Sequence, residues 1–243
     1  MNDSTTRADR IFARHRSDGW TFLTEAARDL RTVGAVAPSG RILARALTAA
    51  VGVQGHRSLS VLEAGAGTGA VTRALIAQLA PGSHLDIVDA NPRFAERLRH
   101  LVHAHPLLAG RPEQVHVHEG YVEHLKLSRC YDVIVSGLPL TNFTPHQVET
   151  IMDRYLQLLH AEGTLTYFAY LGTRPTRILF ASRAEARRHQ AVDEIMSDYQ
   201  RRYGTGCETV WGNVPPARVW RLRRPSLPSP VPPTSCNFVD ADR

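Results

Sequence analysis

Apolar positions along the chain alternate between short continuous runs, typical of buried strands, and a three-to-four-residue spacing, typical of helices. Strands are predicted at residues 59–62, 84–89, 115–118, 131–136 and 164–171. Helices are predicted at residues 68–79, 94–102, 147–160 and 182–203. Strands that alternate with helices favour a parallel sheet joined by right-handed crossovers.

The two ends of the chain depart from this alternation. Apolar residues recur at helical spacing from Trp20 to Leu30, and Pro38 with Ser39 predicts the start of a second helix. Residues 210–211 and 218–222 flank two prolines and are expected to form an antiparallel pair. We therefore divide the chain into a helical extension (1–50), an α/β domain (51–224) and a disordered Pro-rich tail (225–243).

Length and composition agree with this division. The 243 residues, 43% of them apolar, suit one α/β domain with a short extension. The three cysteines lie far apart, which argues against a disulfide framework or a cysteine zinc site and fits a reducing cytoplasm. No apolar run is long enough to cross a bilayer and none resembles a signal peptide, so we expect a cytoplasmic protein.

The net charge of +6 favours a polyanionic partner, either nucleic acid or an anionic membrane surface. The alternative is codon bias, because Lys126 is the only lysine and arginine supplies the remaining cations. Both interpretations stay open on charge alone.

A glycine-rich turn follows the first predicted strand and precedes a helix, in the sequence Glu63-Ala64-Gly65-Ala66-Gly67-Thr68-Gly69. Glycines let the backbone turn sharply and approach a ligand closely. The rival is a dinucleotide site, in which a different glycine spacing places pyrophosphate at a helix N-terminus. An acid two residues before the first glycine suits the cationic amino group and sulfonium of S-adenosylmethionine better than a pyrophosphate.

The second predicted strand ends at Asp89, which is followed by Ala90. An acid at that position can accept hydrogen bonds from both ribose hydroxyls of an adenosine. Asn91 is better placed to cap the next helix, which leaves Asp89 for the ribose. We therefore predict an S-adenosylmethionine site and a Rossmann-like class I methyltransferase fold, with a mostly parallel sheet and helices on both faces. The predicted cofactor-binding residues are Glu63, Ala64, Gly65, Gly67, Gly69, Asp89, Ala90 and Ser136.

The fourth predicted strand leads into Ser136-Gly137-Leu138-Pro139-Leu140. Reactants in an open parallel sheet meet at the carboxyl ends of the strands, so this segment should face the transferred methyl group. An ordinary strand-to-loop turn is the alternative. We call residues 136–140 the acceptor turn.

With these motifs, the chain resembles the bacterial phosphatidylethanolamine N-methyltransferases of the soluble, membrane-associated type. The resemblance rests on Gly34–Ser39, the Glu63–Gly69 loop, the acceptor turn and Asn213–Ala217. It implies a seven-stranded class I fold with an amphipathic N-terminal helix that docks on membranes. It also implies an acceptor turn that lines the amine site, and a phospholipid acceptor. The implied location is the cytoplasm, with peripheral attachment at the inner face of the membrane. Two positions depart from the family: Gly120-Tyr121-Val122 lacks an acid that would reach the adenine amine, and Gly40 replaces an expected serine.

Catalytic roles are assigned to Ser136, Leu138, Pro139, Tyr121 and Tyr170. Methyl transfer is an in-line displacement in which the protein mainly aligns the reactants, and a protonated amine must first lose a proton. Water or a nearby Tyr121, Tyr167, Tyr170 or His146 could accept this proton. Aromatic faces also attract the cationic product, and Tyr121, Phe143 or Tyr170 could supply one.

Two other classes of methyl acceptor compete with the phospholipid. A small molecule of secondary metabolism fits the two departures from the family. RNA adenine dimethylases carry a polar and an aromatic residue where Ser136 and Leu140 stand here, so a nucleic-acid acceptor is disfavoured. No metal site is predicted, because His116 and His118 share a strand face without an identifiable third ligand. The helical segment 20–30 fits a lid over the donor or a membrane contact.

Overall fold

The computed structural model describes residues 38–127, 129–171, 183–213 and 215–226. The predicted helix at 20–30, the motif residues 34–37 and the predicted tail from residue 227 lie outside these ranges. The described strands form one seven-stranded sheet in the order β3-β2-β1-β4-β5-β7-β6. The strands are β1 (Ser60–Ala64), β2 (His84–Asp89), β3 (Val115–Glu119), β4 (Tyr131–Ser136), β5 (Leu159–Tyr170), β6 (Gly204–Val210) and β7 (Ala217–Arg223).

Strands β1 to β5 pair in parallel, and β7 pairs antiparallel with both β5 and β6. The predicted mostly parallel, Rossmann-like sheet of seven strands is confirmed. The helices are α1 (Pro38–Gly52), α2 (Ala70–Ile76), α3 (Pro92–His103), α4 (Pro145–Leu158) and α5 (Arg183–Tyr203). None of the described helices has the length and apolarity needed to cross a membrane.

The helices cover both faces of the sheet because the parallel strands are apolar on both sides. On one face Val133 and Val135 of β4 pack in a core with residues of α1, α2 and α3. On the other face Ile134 packs in a second core with residues of α4 and α5. Helix α1 is tied directly to the sheet, since Thr166 Oγ1 of β5 donates a 2.8 Å hydrogen bond to the carbonyl oxygen of Leu47.

Several predicted boundaries are wrong, and backbone geometry explains them. Helix α2 begins at Ala70 rather than residue 68 because Gly69, its N-cap, has a φ of 81°. Helix α4 ends at Leu158 rather than residue 160 because Leu159 turns extended and pairs with Tyr131. Strand β5 therefore starts earlier than predicted and passes an irregularity at Glu162, whose φ is 63°.

The predicted terminal antiparallel pair is present, but its first strand was placed too late. Strand β6 runs from Gly204 to Val210, directly after α5. Trp211, predicted as part of that strand, lies in the following turn and is 75% exposed. Ile42 of α1 is another large apolar residue with an exposed side chain, at 46%.

Candidate cofactor and acceptor site

Backbone hydrogen bonds tie together the carboxyl ends of the central strands. The amide nitrogens of Gly65, Gly120 and Gly137 each donate to a carbonyl oxygen of the neighbouring strand, over 2.8, 3.0 and 2.8 Å. These bonds continue the sheet into the turns that follow β1, β3 and β4. Residues 63–69, which we call the donor loop, are thereby held beside the acceptor turn.

The three glycines of the donor loop, residues 63–69, serve different purposes. Gly65, Gly67 and Gly69 all have positive φ, at 74°, 55° and 81°. A Cβ at Gly65 would lie 2.4 Å from Leu138 Cδ2, and one at Gly69 would lie 2.8 Å from Leu101 Cδ1. A Cβ at Gly67 would meet no atom of the described residues within 4 Å. Gly65 and Gly69 are therefore required by packing, whereas Gly67 faces open space that a ligand could fill.

Asp89 lies at the end of β2 and holds the donor loop. Its Oδ2 accepts a 2.7 Å hydrogen bond from the amide nitrogen of Gly67, and its Oδ1 accepts a 2.8 Å bond from that of Asn91. Burial raises the pKa of Asp89, while these two amides oppose the rise. A carboxylate has about four acceptor positions, so each oxygen retains capacity for a ribose hydroxyl.

The neighbouring cap agrees with the sequence prediction. Asn91 Oδ1 accepts a 3.0 Å hydrogen bond from the amide nitrogen of Arg93, so Asn91 caps α3. Asp89 is therefore not needed as the cap of α3, and its carboxylate stays available at the cofactor site.

Glu63 is fully buried beneath the donor loop. Thr72 Oγ1 donates a 2.7 Å hydrogen bond to Glu63 Oε2, while Oε1 has no partner among the described residues. Burial raises the pKa of Glu63 from its ordinary value of 4.5 to about 8. A cationic group placed over the loop would favour the charged carboxylate, because an opposite charge in a buried setting opposes the cost of burial.

The remaining predicted cofactor residues border the same turn. Ala64 is fully buried, and its carbonyl oxygen accepts the bond from Gly137. Ala90 is half-buried directly after Asp89. An open position at Gly67, free acceptor capacity at Asp89 and an unpartnered oxygen on Glu63 together fit S-adenosylmethionine, which carries ribose hydroxyls and cationic groups.

Ser136, predicted for both catalysis and cofactor binding, is fully buried. Its Oγ accepts a 3.0 Å hydrogen bond from the hydroxyl of Tyr155 in α4 and a weaker 3.4 Å bond from the amide nitrogen of Leu138. The side chain is thus directed into the core on the α4 side. In this structure the Ser136 hydroxyl is engaged by Tyr155 and by the backbone of the acceptor turn itself.

Gly137 and Leu138 of the acceptor turn lie against the donor loop. A Cβ at Gly137 would lie 2.5 Å from the carbonyl oxygen of Gly65, so the two backbones touch at this point. Leu138 is half-buried against Gly65, and Pro139 beside it is also half-buried. Leu140 is buried in the core. The part of the acceptor turn that borders the donor loop is therefore apolar.

The two predicted catalytic tyrosines are not brought together. Tyr170 ends β5 and packs edge-on against Phe168, with ring centroids 5.0 Å apart. Tyr121 follows β3 and contacts the ring of His124. Four strand spacings of about 4.8 Å separate β3 from β5, which places the two tyrosines roughly 19 Å apart. Tyr170 is on the acceptor side of the sheet, whereas Tyr121 is on the side of Asp89.

Three other acceptor-site candidates have different surroundings. Phe143 is buried in the core, and Tyr167 is buried with its hydroxyl accepting a 2.8 Å hydrogen bond from Gln200 Nε2. His146 is exposed near the start of α4. Phe143 thus offers only its ring, the Tyr167 hydroxyl is engaged by Gln200, and the His146 imidazole is open to solvent.

Sequence reasoning missed Thr72, Tyr155 and the close contact at Gly137. Thr72 follows Glu63 by nine residues and reaches it because β1 and α2 are joined by one tight turn, a spacing that could have been recognised. Tyr155 and Ser136 are 19 positions apart on separate elements, and no local pattern links them.

Known proteins provide an independent comparison. Residues 61–163 match the family model described as a methyltransferase domain. The chain is similar to the 1,6-didemethyltoxoflavin-N1-methyltransferase of Burkholderia thailandensis, solved with 1,6-didemethyltoxoflavin and S-adenosylhomocysteine (TM-score 0.58, 18% identity, 88% of this chain and 90% of that one). No curated protein matches the sequence.

Two further solved structures share the fold. One is an O-methyltransferase from Bacillus cereus in complex with SAH (TM-score 0.55, 15% identity, 84% of this chain and 90% of that one). The other is the O-methyltransferase TomG from Streptomyces achromogenes, involved in tomaymycin synthesis and solved with SAM (TM-score 0.54, 16% identity, 83% of this chain and 89% of that one). The family match, the strand order and the donor loop together identify the chain as an S-adenosylmethionine-dependent methyltransferase with the class I fold.

Proposed function

We propose that the chain methylates a small-molecule acceptor that lies against the acceptor turn. The observation that carries this proposal is the placement of Ser136, the one polar side chain on the turn from residue 136 to 140. Its hydroxyl is buried and bonded to Tyr155, so Leu138 and Pro139 present an apolar surface next to the donor loop. An acceptor with an apolar face suits such a surface.

The chain contributes mainly by positioning. Bound S-adenosylmethionine supplies a methyl group on a cationic sulfur. Gly67 leaves room for the donor, and Asp89 offers acceptors to its ribose. Leu138 packs over Gly65 and links the acceptor turn to the donor loop. Alignment of two reactants in this way can lower the barrier by several kcal/mol, and apolar contacts exclude water from the junction.

The acceptor's proton leaves to water in this proposal. Among the described residues, the buried tyrosines near the turn have their hydroxyls engaged, Tyr155 with Ser136 and Tyr167 with Gln200. Burial raises the pKa of both tyrosines, so the phenolate form that could accept a proton is scarcely populated near neutrality. An acceptor nitrogen or hydroxyl that loses its proton readily is therefore favoured.

A phospholipid head group such as phosphatidylethanolamine is less well supported. The membrane contact depends on residues 20–30, which lie outside the described structure. The solved relative from Burkholderia thailandensis was crystallised with a small molecule. An RNA adenine is also disfavoured, because the polar side chain of the acceptor turn, Ser136, is buried against Tyr155, and the turn carries no aromatic ring for stacking.

A labelled donor separates the three acceptor classes. The purified chain is incubated with methyl-labelled S-adenosylmethionine and, in parallel, a low-mass metabolite extract, anionic liposomes containing phosphatidylethanolamine, or transcribed RNA. We expect label in the low-mass fraction. Label confined to lipid would overturn the proposal in favour of the phospholipid acceptor and would support peripheral membrane attachment, and label confined to RNA would also overturn it.

A further inference from the structure

A cluster of metal-ligating side chains lies on the sheet at a distance from the donor site. It consists of His84 and Asp86 on β2 and His116 and His118 on β3, and we call it the edge cluster. The register pairs Asp86 with His116, so all four side chains project from the same face of the two strands. His84 begins β2 and Asp89 ends it, which separates the edge cluster from the donor loop by roughly 16 Å.

This face of the sheet is open to a ligand. The second core, with α4 and α5, covers β4 and β5 on this side. Between β3 and β4 the described residues form turns and extended chain, so no helix of the described part of the chain covers β2 and β3 on this side. His116 is exposed, while Asp86 is only 4% exposed. A buried carboxylate with solvent-accessible imidazoles above it is a suitable arrangement for a cation.

We propose that His84, Asp86 and His116 bind a divalent transition-metal ion of the zinc type. One ligand atom from each residue lies within 4.8 Å of the others. His84 Nε2 is 3.0 Å from Asp86 Oδ2, and the rings of His84 and His116 have centroids 4.8 Å apart. Tetrahedral zinc with bonds near 2.0 Å needs ligand atoms about 3.3 Å apart, so a rotation of exposed His116 completes the set. Two imidazoles and one carboxylate leave the fourth position to water.

Hydrogen bonds already hold the Asp86 carboxylate in a fixed orientation for metal binding. His118 Nε2 lies 2.6 Å from Asp86 Oδ1, and the hydroxyl of Tyr131 donates a 2.7 Å hydrogen bond to Oδ2. Hydrogen bonds of this kind fix the direction of a ligating carboxylate. Sequence alone revealed only His116 and His118, and the register with β2 adds the two further groups.

Arg129 is the competitor for this site. Its Nε lies 3.8 Å from Asp86 Oδ2, and its side chain is 45% exposed. A bound cation would repel the guanidinium, which has room to turn towards solvent. Removal of Arg129 should therefore tighten metal binding.

Zinc binding to the full chain tests the proposal through competition with a chromophoric chelator, and cobalt absorption reports the ligand set. We expect one zinc per chain, with an affinity that falls about tenfold or more in His116→Ala and rises in Arg129→Ala. His116→Ala preserves the bonds to Asp86, so it should fold. His103→Ala, an exposed histidine of α3, is the matched control and should bind as the wild type does.

Zinc should also raise the melting temperature of the wild type and of His103→Ala but not of His116→Ala, because a ligand that binds only the folded state stabilises it. Equal zinc affinity in the wild type and His116→Ala would overturn the proposal. So would the absence of zinc binding to the wild type. The readout needs neither donor nor acceptor, so its failure is distinct from a failure of the proposed function.

Discussion

The amide nitrogen of Gly67 donates a 2.7 Å hydrogen bond to Oδ2 of Asp89, which joins the donor loop after β1 to the end of β2. One carboxylate therefore has two tasks. It fixes the loop at the glycine that faces open space, and it retains acceptor positions for a ribose. The cofactor site is held in shape before the donor arrives.

Asp89→Asn should weaken S-adenosylmethionine binding by about 10- to 100-fold, because hydrogen bonds to a charged group contribute about 1.5–3 kcal/mol. An asparagine has only one acceptor oxygen, and its amide nitrogen would face an N–H group. Isothermal titration calorimetry measures the effect. Asp132→Asn is the control, since Asp132 bonds to Ser60 near the opposite end of β4. An unchanged affinity in Asp89→Asn would contradict the assigned role.

Gly67→Ala should abolish donor binding while the chain remains folded. The alanine keeps a φ of 55° at a cost of about 1 kcal/mol, and its Cβ enters the open space over the loop. Gly110→Ala is matched in backbone, with a φ of 79° and nothing within 4 Å of the added Cβ. Binding calorimetry and thermal melts compare the two. Similar donor affinity in both variants would show that the space at Gly67 is not the donor site.

Gly137→Ala should lower the free energy of unfolding by about 1–3 kcal/mol, because the new Cβ meets the backbone oxygen of Gly65 at 2.5 Å. The donor loop and the acceptor turn must then separate, so donor affinity should fall as well. In the control, Gly206→Ala, the nearest atom is Nε of the flexible Arg221 side chain at 3.6 Å. Chemical denaturation measures both. Equal stability of the two variants would contradict the close contact.

Glu63 should make stability without donor depend on pH. Its pKa rises from 4.5 to about 8 on folding, so the folded state holds a proton that the unfolded state releases between these values. The free energy of unfolding should therefore fall as pH rises from 4.5 to about 8 and then level off.

Glu63→Gln removes this titration and keeps an oxygen for Thr72. Urea denaturation at about pH 5 and about pH 8 should show a smaller loss of stability in Glu63→Gln than in the wild type. Equal losses in the two proteins would show that Glu63 is already charged in the folded chain.

The sequence was sufficient for much of the fold because its main signals are local. Strands β2 and β4 were predicted with their observed bounds, and the Asn91 cap was recognised from the proline that follows it. Boundaries failed where the backbone of one residue decided them: Gly69 is left-handed before α2, and Leu159 turns extended after α4. The spacing of apolar positions does not show the dihedral angles of a single residue.

The donor site was more accessible to sequence reasoning than the acceptor site. The acid and the glycines of the donor loop lie within seven residues, and their spacing carries the chemistry. The environment of Ser136 depends on Tyr155 of a separate helix, and the separation of Tyr121 from Tyr170 depends on strand order. These are tertiary relationships, and the roles assigned to Ser136 and the two tyrosines stay proposals.

Methyl transfer into a low-mass compound tests the central claim most directly. The chain is incubated with a metabolite extract and S-adenosylmethionine that carries either an ordinary or a deuterated methyl group. Mass spectrometry then identifies products that appear as a pair, one with the ordinary and one with the deuterated methyl group. Wild type and Gly110→Ala should both yield such a pair in the low-mass fraction, and Gly67→Ala should not. The account is contradicted if the paired products occur only in lipid or RNA, or if Gly67→Ala forms them as fast as the wild type.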